Sequence, residues 1–215
     1  MNNSTKRQAR TRSDAAYEHI VEVISRGELA PGAPLNIPSL AREFEISQTP
    51  IREALARLEH TGLVRREALR GYFVAMPFTA RDVKKLIEAR LVVQPALARE
   101  ASLRVTPDFL ESLLEVIEGR GEVPSFGVER EERFFALVSA QSGNPFLGAA
   151  AASLAGQNQR LAIELRDEGG SHAATDAELR AVYDALAARD PELAASTTKH
   201  LLESSRGRAL QEVSA

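Results

Sequence analysis

Apolar residues recur every three or four positions along most of the chain, the spacing of one buried helical face. Ala16, Ile20, Val23 and Ile24 make the first such stripe. Ser13 is placed to cap that helix, and Gly27 with the Pro- and Gly-rich stretch 31–34 ends it. A short second helix is expected over 38–44, with Leu40, Ala41 and Phe44 on one side and Pro38 tolerated in its first turn. Residues 45–47 leave room only for a tight turn. A third helix then runs from 47–50 to about His60, with Ile51, Ala54, Leu55 and Leu58 facing inward. Gln48, Thr49, Arg52 and Arg57 fall largely off that stripe, and Gly62 suits a left-handed C-terminal position. The period then changes. Segments 63–66 and 72–75 carry β-formers on either side of 67–71, which predicts a strand, a turn closed by Gly71, and a second strand.

From Thr79 onward the helical period returns, and neither a strand pattern nor an internal repeat is visible. Thr79, followed three residues later by Asp82, caps a long helix through about Ser102. Thr106 and Pro107 open another that ends near Gly119. Further helices fit 127–142, 145–167, 172–188 and 191–213, separated by breaks at 143–145, 169–170 and 190–191. The predicted fold class is mainly α, with a helical trio and a small β-hairpin followed by an all-α bundle. The expected division is a basic, disordered tail over 1–12, a first domain over 13–75, a linker at 76–79 and a helical domain over 80–215.

Charge sharpens that division. The 215 residues carry a net charge of −3, split as +2 over residues 1–78 and −5 over the rest. Residues 1–12 hold Lys6, Arg7, Arg10 and Arg12 and no acid. Opposite-signed modules suggest different partners, one of them polyanionic. The chain has no cysteine, which excludes a disulfide scaffold, a thiolate zinc site and a cysteine nucleophile. No apolar run is long enough to span a membrane, and the polar, basic N-terminus is not a secretory signal. A cytoplasmic protein with no membrane partner is therefore expected.

Two short helices joined by a tight turn, packed on a first helix and followed by a basic hairpin, are the winged helix-turn-helix arrangement. The second helix of the pair offers its N-terminal residues Gln48, Thr49 and Arg52 to a major groove. Arg52 can read a guanine edge or a phosphate, Gln48 an adenine edge, and Thr49 a phosphate or a thymine methyl. Arg65, Arg66 and Arg70 in the hairpin suit phosphates, and Gly71 lets its backbone approach the minor groove. The runs Leu40-Ala41-Arg42-Glu43-Phe44-Glu45-Ile46-Ser47-Gln48-Thr49-Pro50-Ile51-Arg52-Glu53-Ala54-Leu55, Leu58-Glu59-His60-Thr61-Gly62-Leu63-Val64 and Arg70-Gly71-Tyr72-Phe73-Val74 resemble the signature of GntR-type transcription regulators. Most members have Arg where this chain has Gln48, which implies a different operator at that contact. The resemblance implies double-stranded DNA carrying an inverted repeat as partner, bound by a homodimer.

The helical second half resembles the ligand-sensing FCD domain of the FadR subfamily. The resemblance rests on Arg90, Val93-Gln94, Glu131-Glu132-Arg133-Phe134-Phe135, Gly143-Asn144-Pro145, Val182-Tyr183-Asp184-Ala185-Leu186, Asp190 and His200. It implies a small-molecule effector, with Arg90 facing its carboxylate, hence an organic acid; the alternative for Arg90 is a structural salt bridge to a nearby acid. Many FCD domains hold a divalent metal with an Asp and three His. The corresponding positions here are Glu131, Phe135, Leu179 and His200, the last one residue short of register. Phe and Leu offer no lone pair, so no metal or other cofactor is expected, and the four line an effector pocket instead. Glu178 would join Glu131 and His200 only if the register slipped by one. An enzyme is not expected. None of His19, His60, His172 and His200 sits in a catalytic motif, phosphate loops and nucleophile elbows are absent, and the adjacent Glu131 and Glu132 should point apart. A winged-helix adaptor or architectural protein without an effector is the alternative class. It does not need the Arg and Gly chemistry of the wing.

Overall fold

The computed structural model describes residues 11–120, 127–165 and 173–213. They form two compact units that divide between Met76 and Pro77. Residues 1–10, most of the expected basic tail, lie outside the described residues, as do 166–172, which include His172.

The first unit opens with α1 (Arg12–Ser25). Thr11, not Ser13, caps it. The Thr11 hydroxyl accepts from the Asp14 N–H at 3.1 Å, and the Asp14 carboxylate accepts from the Thr11 N–H at 3.1 Å. Ser13 cannot make that reciprocal box, because the residue three beyond it is Ala16. Helix α2 (Ile37–Glu43) starts from Asn36, whose side chain accepts from the Ser39 N–H at 3.0 Å. Helix α3 (Gln48–Thr61) stops at Gly62, which holds φ 77. In the turn between α2 and α3, Glu45 takes φ 55 without being a glycine.

The expected hairpin is present as β2 (Val64–Glu67) and β3 (Gly71–Val74). It is part of a three-stranded antiparallel sheet in the order β1-β3-β2, because β1 (Pro34–Leu35) pairs with β3 through Pro34 with Phe73 and Leu35 with Tyr72. The 31–34 stretch therefore ends a helix and also begins a strand. Two residues are too short for a period to register, and only the burial of Leu35 marks the pairing. Ile20 from α1 and Ile51, Ala54, Leu55 and Leu58 from α3 fill the core of this unit, none accessible to solvent. These are the predicted stripes, closed on each other by the hydrophobic effect.

The second unit holds α4 (Ala80–Ser102), α5 (Pro107–Ile117), α6 (Gly127–Ser142), α7 (Pro145–Glu164), α8 (Asp176–Ala187) and α9 (Pro191–Val213). Thr79 and Asp82 form the expected capping box on α4. A box unforeseen from the sequence, Thr175 with Glu178, starts α8 later than 172. Helix α4 packs most extensively on α9 and also meets α6 and α7. The two long helices run antiparallel: Arg99 pairs with Glu192 at one end, while Val83 and Ala209 share a cluster at the other. That register sets Gln94 level with Thr198. Among the described residues no helix is long and apolar enough to cross a membrane.

Candidate functional site

Two groups of predicted residues separate cleanly, one in each unit. In the first, Ser47 makes no side-chain hydrogen bond to the start of α3, so the first-turn amides are not closed by a cap. Gln48, Thr49 and Arg52 stand exposed beside them. Arg52 has no ion-pair partner among the described residues, neither Glu53 nor Glu59. An unpaired cation next to open helix-start amides is chemically able to hold a phosphate or a base edge. Arg57, on the same helix, has another role: it pairs with Asp14 at 2.7 Å and lies over the Tyr17 ring at 4.5 Å, tying α3 to α1. Hydrogen bonds from Thr11 and then Arg57 hold the Asp14 carboxyl down at about 2.

The wing carries Arg65, Arg66 and Arg70, all exposed. They are not equivalent. Arg65 and Arg70 both pair with Glu67 and lie against Phe73, at 5.0 and 5.2 Å from its ring. Among the described residues Arg66 meets the Tyr72 ring, at 5.7 Å, and has no carboxylate partner. Gly71 has φ 94, and a side chain there would meet nothing within 4 Å, so its backbone conformation is what requires glycine. The pattern of the sequence passes over Leu69, which also takes a left-handed φ of 63 and projects fully exposed from the tip. Only its place in a basic turn could have drawn attention to it.

In the second unit Arg90 lies at the centre of a buried polar cluster, 1% exposed. Its Nη1 donates to Asn158 Oδ1 at 2.8 Å and its Nη2 donates to Glu131 Oε1. Glu132 Oε1 stands 3.9 Å from the same Nη2 and accepts from Asn158 Nδ2 at 2.6 Å. The second oxygen of Glu131 accepts from the Ala174 N–H at 2.6 Å. Glu131 and Glu132 therefore converge on one guanidinium instead of pointing apart. Their side chains are long enough to swing around α6 toward a charge supplied by α4. Burial opposes the charge on Arg90, but Glu131 and Glu132 outweigh it and raise its pKa. Burial, reinforced by Glu131 and opposed by Arg90 and Asn158, lifts the Glu132 carboxyl to about 7.

An effector carboxylate at Arg90 would have to displace one of these acids. Among the described residues four buried side-chain atoms have no hydrogen-bond partner: Arg90 Nε, Gln94 Oε1, Thr198 Oγ1 and Arg208 Nε. Gln94, Asn158, Glu132 and Thr198 were not foreseen as site residues. A polar residue on an otherwise apolar stripe was the available signal for Gln94 and Thr198.

Of the remaining predicted pocket residues, Phe135 and Leu179 are buried in the hydrophobic core, with Phe134 edge-on to Phe135. His200 is not with them. It is exposed in a surface groove between α8 and α9, with Ala177, Glu178, Ala181 and Ser196. The inward stripe of α9 runs through Ala194, Thr198, Leu201 and Leu202, so His200 faces the other way. Glu178 is engaged by Arg208 at 3.0 Å and by the Thr175 cap. The residues at the metal-ligand positions do not fit a divalent ion: two are apolar, one is ion-paired, and the histidine stands elsewhere. Among the described residues no three His, Asp or Glu side chains gather around one point.

Residues 12–74 match the family model described as bacterial regulatory proteins, gntR family, and residues 85–204 match the FCD domain. The HTH-type transcriptional regulator LutR of Bacillus subtilis is 30% identical over 130 residues, which span 54% of this chain and 59% of that protein. The galactonate operon transcriptional repressor of Escherichia coli is 28% identical, over 88% of this chain and 93% of its own. Among solved structures, a GntR transcriptional regulator from Rhodococcus sp. RHA1 shares the fold with a TM-score of 0.66 at 24% identity, over 93% of this chain and 98% of that one.

Proposed function

Because the chain belongs to the GntR family of bacterial regulatory proteins and carries an FCD domain, we propose that it is a transcription repressor whose hold on its operator is set by a small molecule bound inside the helical unit. The observation that carries the DNA-binding half is the exposed, unpaired Arg52 beside the uncapped start of α3. Gln48, Thr49 and Arg52 read bases, while Arg66 and, more weakly, Arg65 and Arg70 hold the phosphate backbone. One recognition helix buries too little surface for tight specific binding. The working form is a homodimer on an inverted repeat, in the cytoplasm where the DNA is, as expected of the FadR subfamily. The effector sits around Arg90 and Glu131, with Phe135 and Leu179 behind them, and acts by favouring one arrangement of the two reading heads. His200 lies outside that pocket.

Selection from a pool of random-sequence duplexes tests the reading. It should enrich an inverted repeat that carries two chains per duplex. A pool that passes through without enrichment would contradict it and favour an adaptor protein.

A further inference from the structure

The wing ends in a residue whose chemistry is at odds with its surroundings. Between β2 and β3 the chain turns through Ala68, Leu69 and Arg70, closed by a hydrogen bond from the Arg70 N–H to the Glu67 carbonyl at 3.2 Å. Leu69 stands at the apex with a relative exposure of 108%. No other large apolar side chain among the described residues is so open to solvent; the next, Phe146, reaches 87%. An isolated apolar residue on a surface is ordinary. This one also holds a left-handed φ of 63. That conformation crowds a Cβ and normally falls to Gly, or to Asn and Asp, whose short polar side chains bond locally. The other non-glycine residues that adopt it among the described residues, Glu45 and Arg189, are polar. A leucine at an exposed, strained apex gains nothing from the fold, so its use lies in what the wing meets.

Its flanks identify that surface. Arg65 and Arg66 are consecutive on β2 and so lie on opposite faces of the ribbon, Arg65 against the Phe73 ring and Arg66 against the Tyr72 ring. Arg70 adjoins the apex. Cations thus stand on both sides of an apolar point. The minor groove of a duplex presents the complement: two phosphate rims and, between them, sugar C–H walls over a floor of base edges, in a cleft about 6 Å wide. A hairpin tip enters such a cleft apex first. Gly71, with φ 94 and open space where a side chain would be, leaves the flank of the apex clear.

The floor of the groove is where a leucine discriminates. Under an A·T pair it carries only acceptors, whereas a G·C pair raises the guanine amino group into it. A side chain with no acceptor cannot replace the water that this amino group loses, and the same group blocks its approach. We propose that Leu69 is a specificity-determining residue, which lies along the minor-groove floor beside each half-site and confines the pair beneath it to one without a guanine amino group. The inference rests on the reading of the first unit as the part that holds the operator. It adds a base-selective contact to a wing otherwise assigned to phosphates and backbone approach. Leu69 selects by exclusion, while Arg65, Arg66 and Arg70 hold the rims and carry no such choice.

Base analogues that alter the minor groove alone test this. Each A·T pair of the enriched duplex is replaced in turn by G·C, inosine–cytosine or diaminopurine–thymine. Inosine–cytosine keeps the major-groove face of G·C but lacks the amino group; diaminopurine–thymine keeps that of A·T and adds it. At the pair under each wing, outside the bases that α3 reads, G·C and diaminopurine–thymine should weaken binding roughly fivefold or more, the low end of what one wrong pair costs. Inosine–cytosine should bind there like A·T. Leu69→Gly should bring all four pairs to equal affinity and keep the preference that Arg52 supplies; glycine suits the left-handed apex, so the variant retains its fold. Arg66→Ala should weaken all four alike and leave their ratios unchanged, which separates the leucine from an arginine drawn into a narrow groove. Inosine–cytosine behaving like G·C, a preference that survives in Leu69→Gly, or indifference to the amino group at every pair would overturn the proposal. An enriched repeat with that indifference refutes this inference and leaves the operator reading standing; a pool that enriches nothing removes both.

Discussion

Arg52 and Glu132 are both charged residues placed where their charge has no full partner, and each is informative for that reason. Arg52 is exposed, so its charge costs nothing until an anion arrives. Glu132 is enclosed, and burial with Glu131 beside it raises its carboxyl to about 7, above the ordinary value of 4.5. The folded chain therefore holds a proton that the unfolded chain has lost between those two values. Its contribution to stability is complete below pH 4.5 and falls as pH rises toward 7. Glu132→Gln should flatten the loss of ligand-free stability between pH 5 and 7.5, as read by urea titrations along that range; an unchanged slope would show that another group titrates. The exposure of Arg52 was legible in the sequence, because a residue off the inward stripe of a short helix must be exposed. The Glu132 environment was not. It depends on Arg90 from α4 and Asn158 from α7, and adjacency along α6 suggested that the two acids diverge.

At the scale of elements, the long apolar stripes fixed helix existence, while short-range hydrogen bonds decided where helices start. Thr79 and Asp82 were readable because the box lies within four residues. Thr11 and Ser13 both stand before the first apolar stripe, but only Thr11 has an acid three residues on. Strand β1 was hidden for a different reason: its pairing with β3 is a contact across the unit, and a Pro-Leu pair has no period of its own. Thr79→Ala should cost the helical unit about 1 kcal/mol, the usual worth of such a cap. Chemical denaturation of the full chain, followed by helical circular dichroism, measures it. A change indistinguishable from zero would mean that α4 is held by packing on α9 alone.

At the scale of the whole molecule, the two units assign different tasks to opposite charge. The basic wing and the start of α3 present cations outward, and the helical unit turns two of its acids, Glu131 and Glu132, inward around one arginine. The family and its two domains were legible from ordered motifs, whereas the buried polar cluster around Arg90 was not, because its partners come together only in the folded chain. The central claim is that this protein reads DNA sequence through α3. Its most direct measurement is a fluorescence-anisotropy titration of the selected duplex and a scrambled duplex of equal length, with unaltered protein, Arg52→Ala and Arg66→Ala. The unaltered protein should prefer the selected duplex by about a thousandfold or more. Arg52→Ala should shrink that preference by roughly 5- to 150-fold, the worth of one bidentate base contact, while Arg66→Ala should weaken both duplexes equally and lessen the salt dependence. Equal affinity of the unaltered protein for the two duplexes, or a preference untouched by Arg52→Ala, would contradict the account.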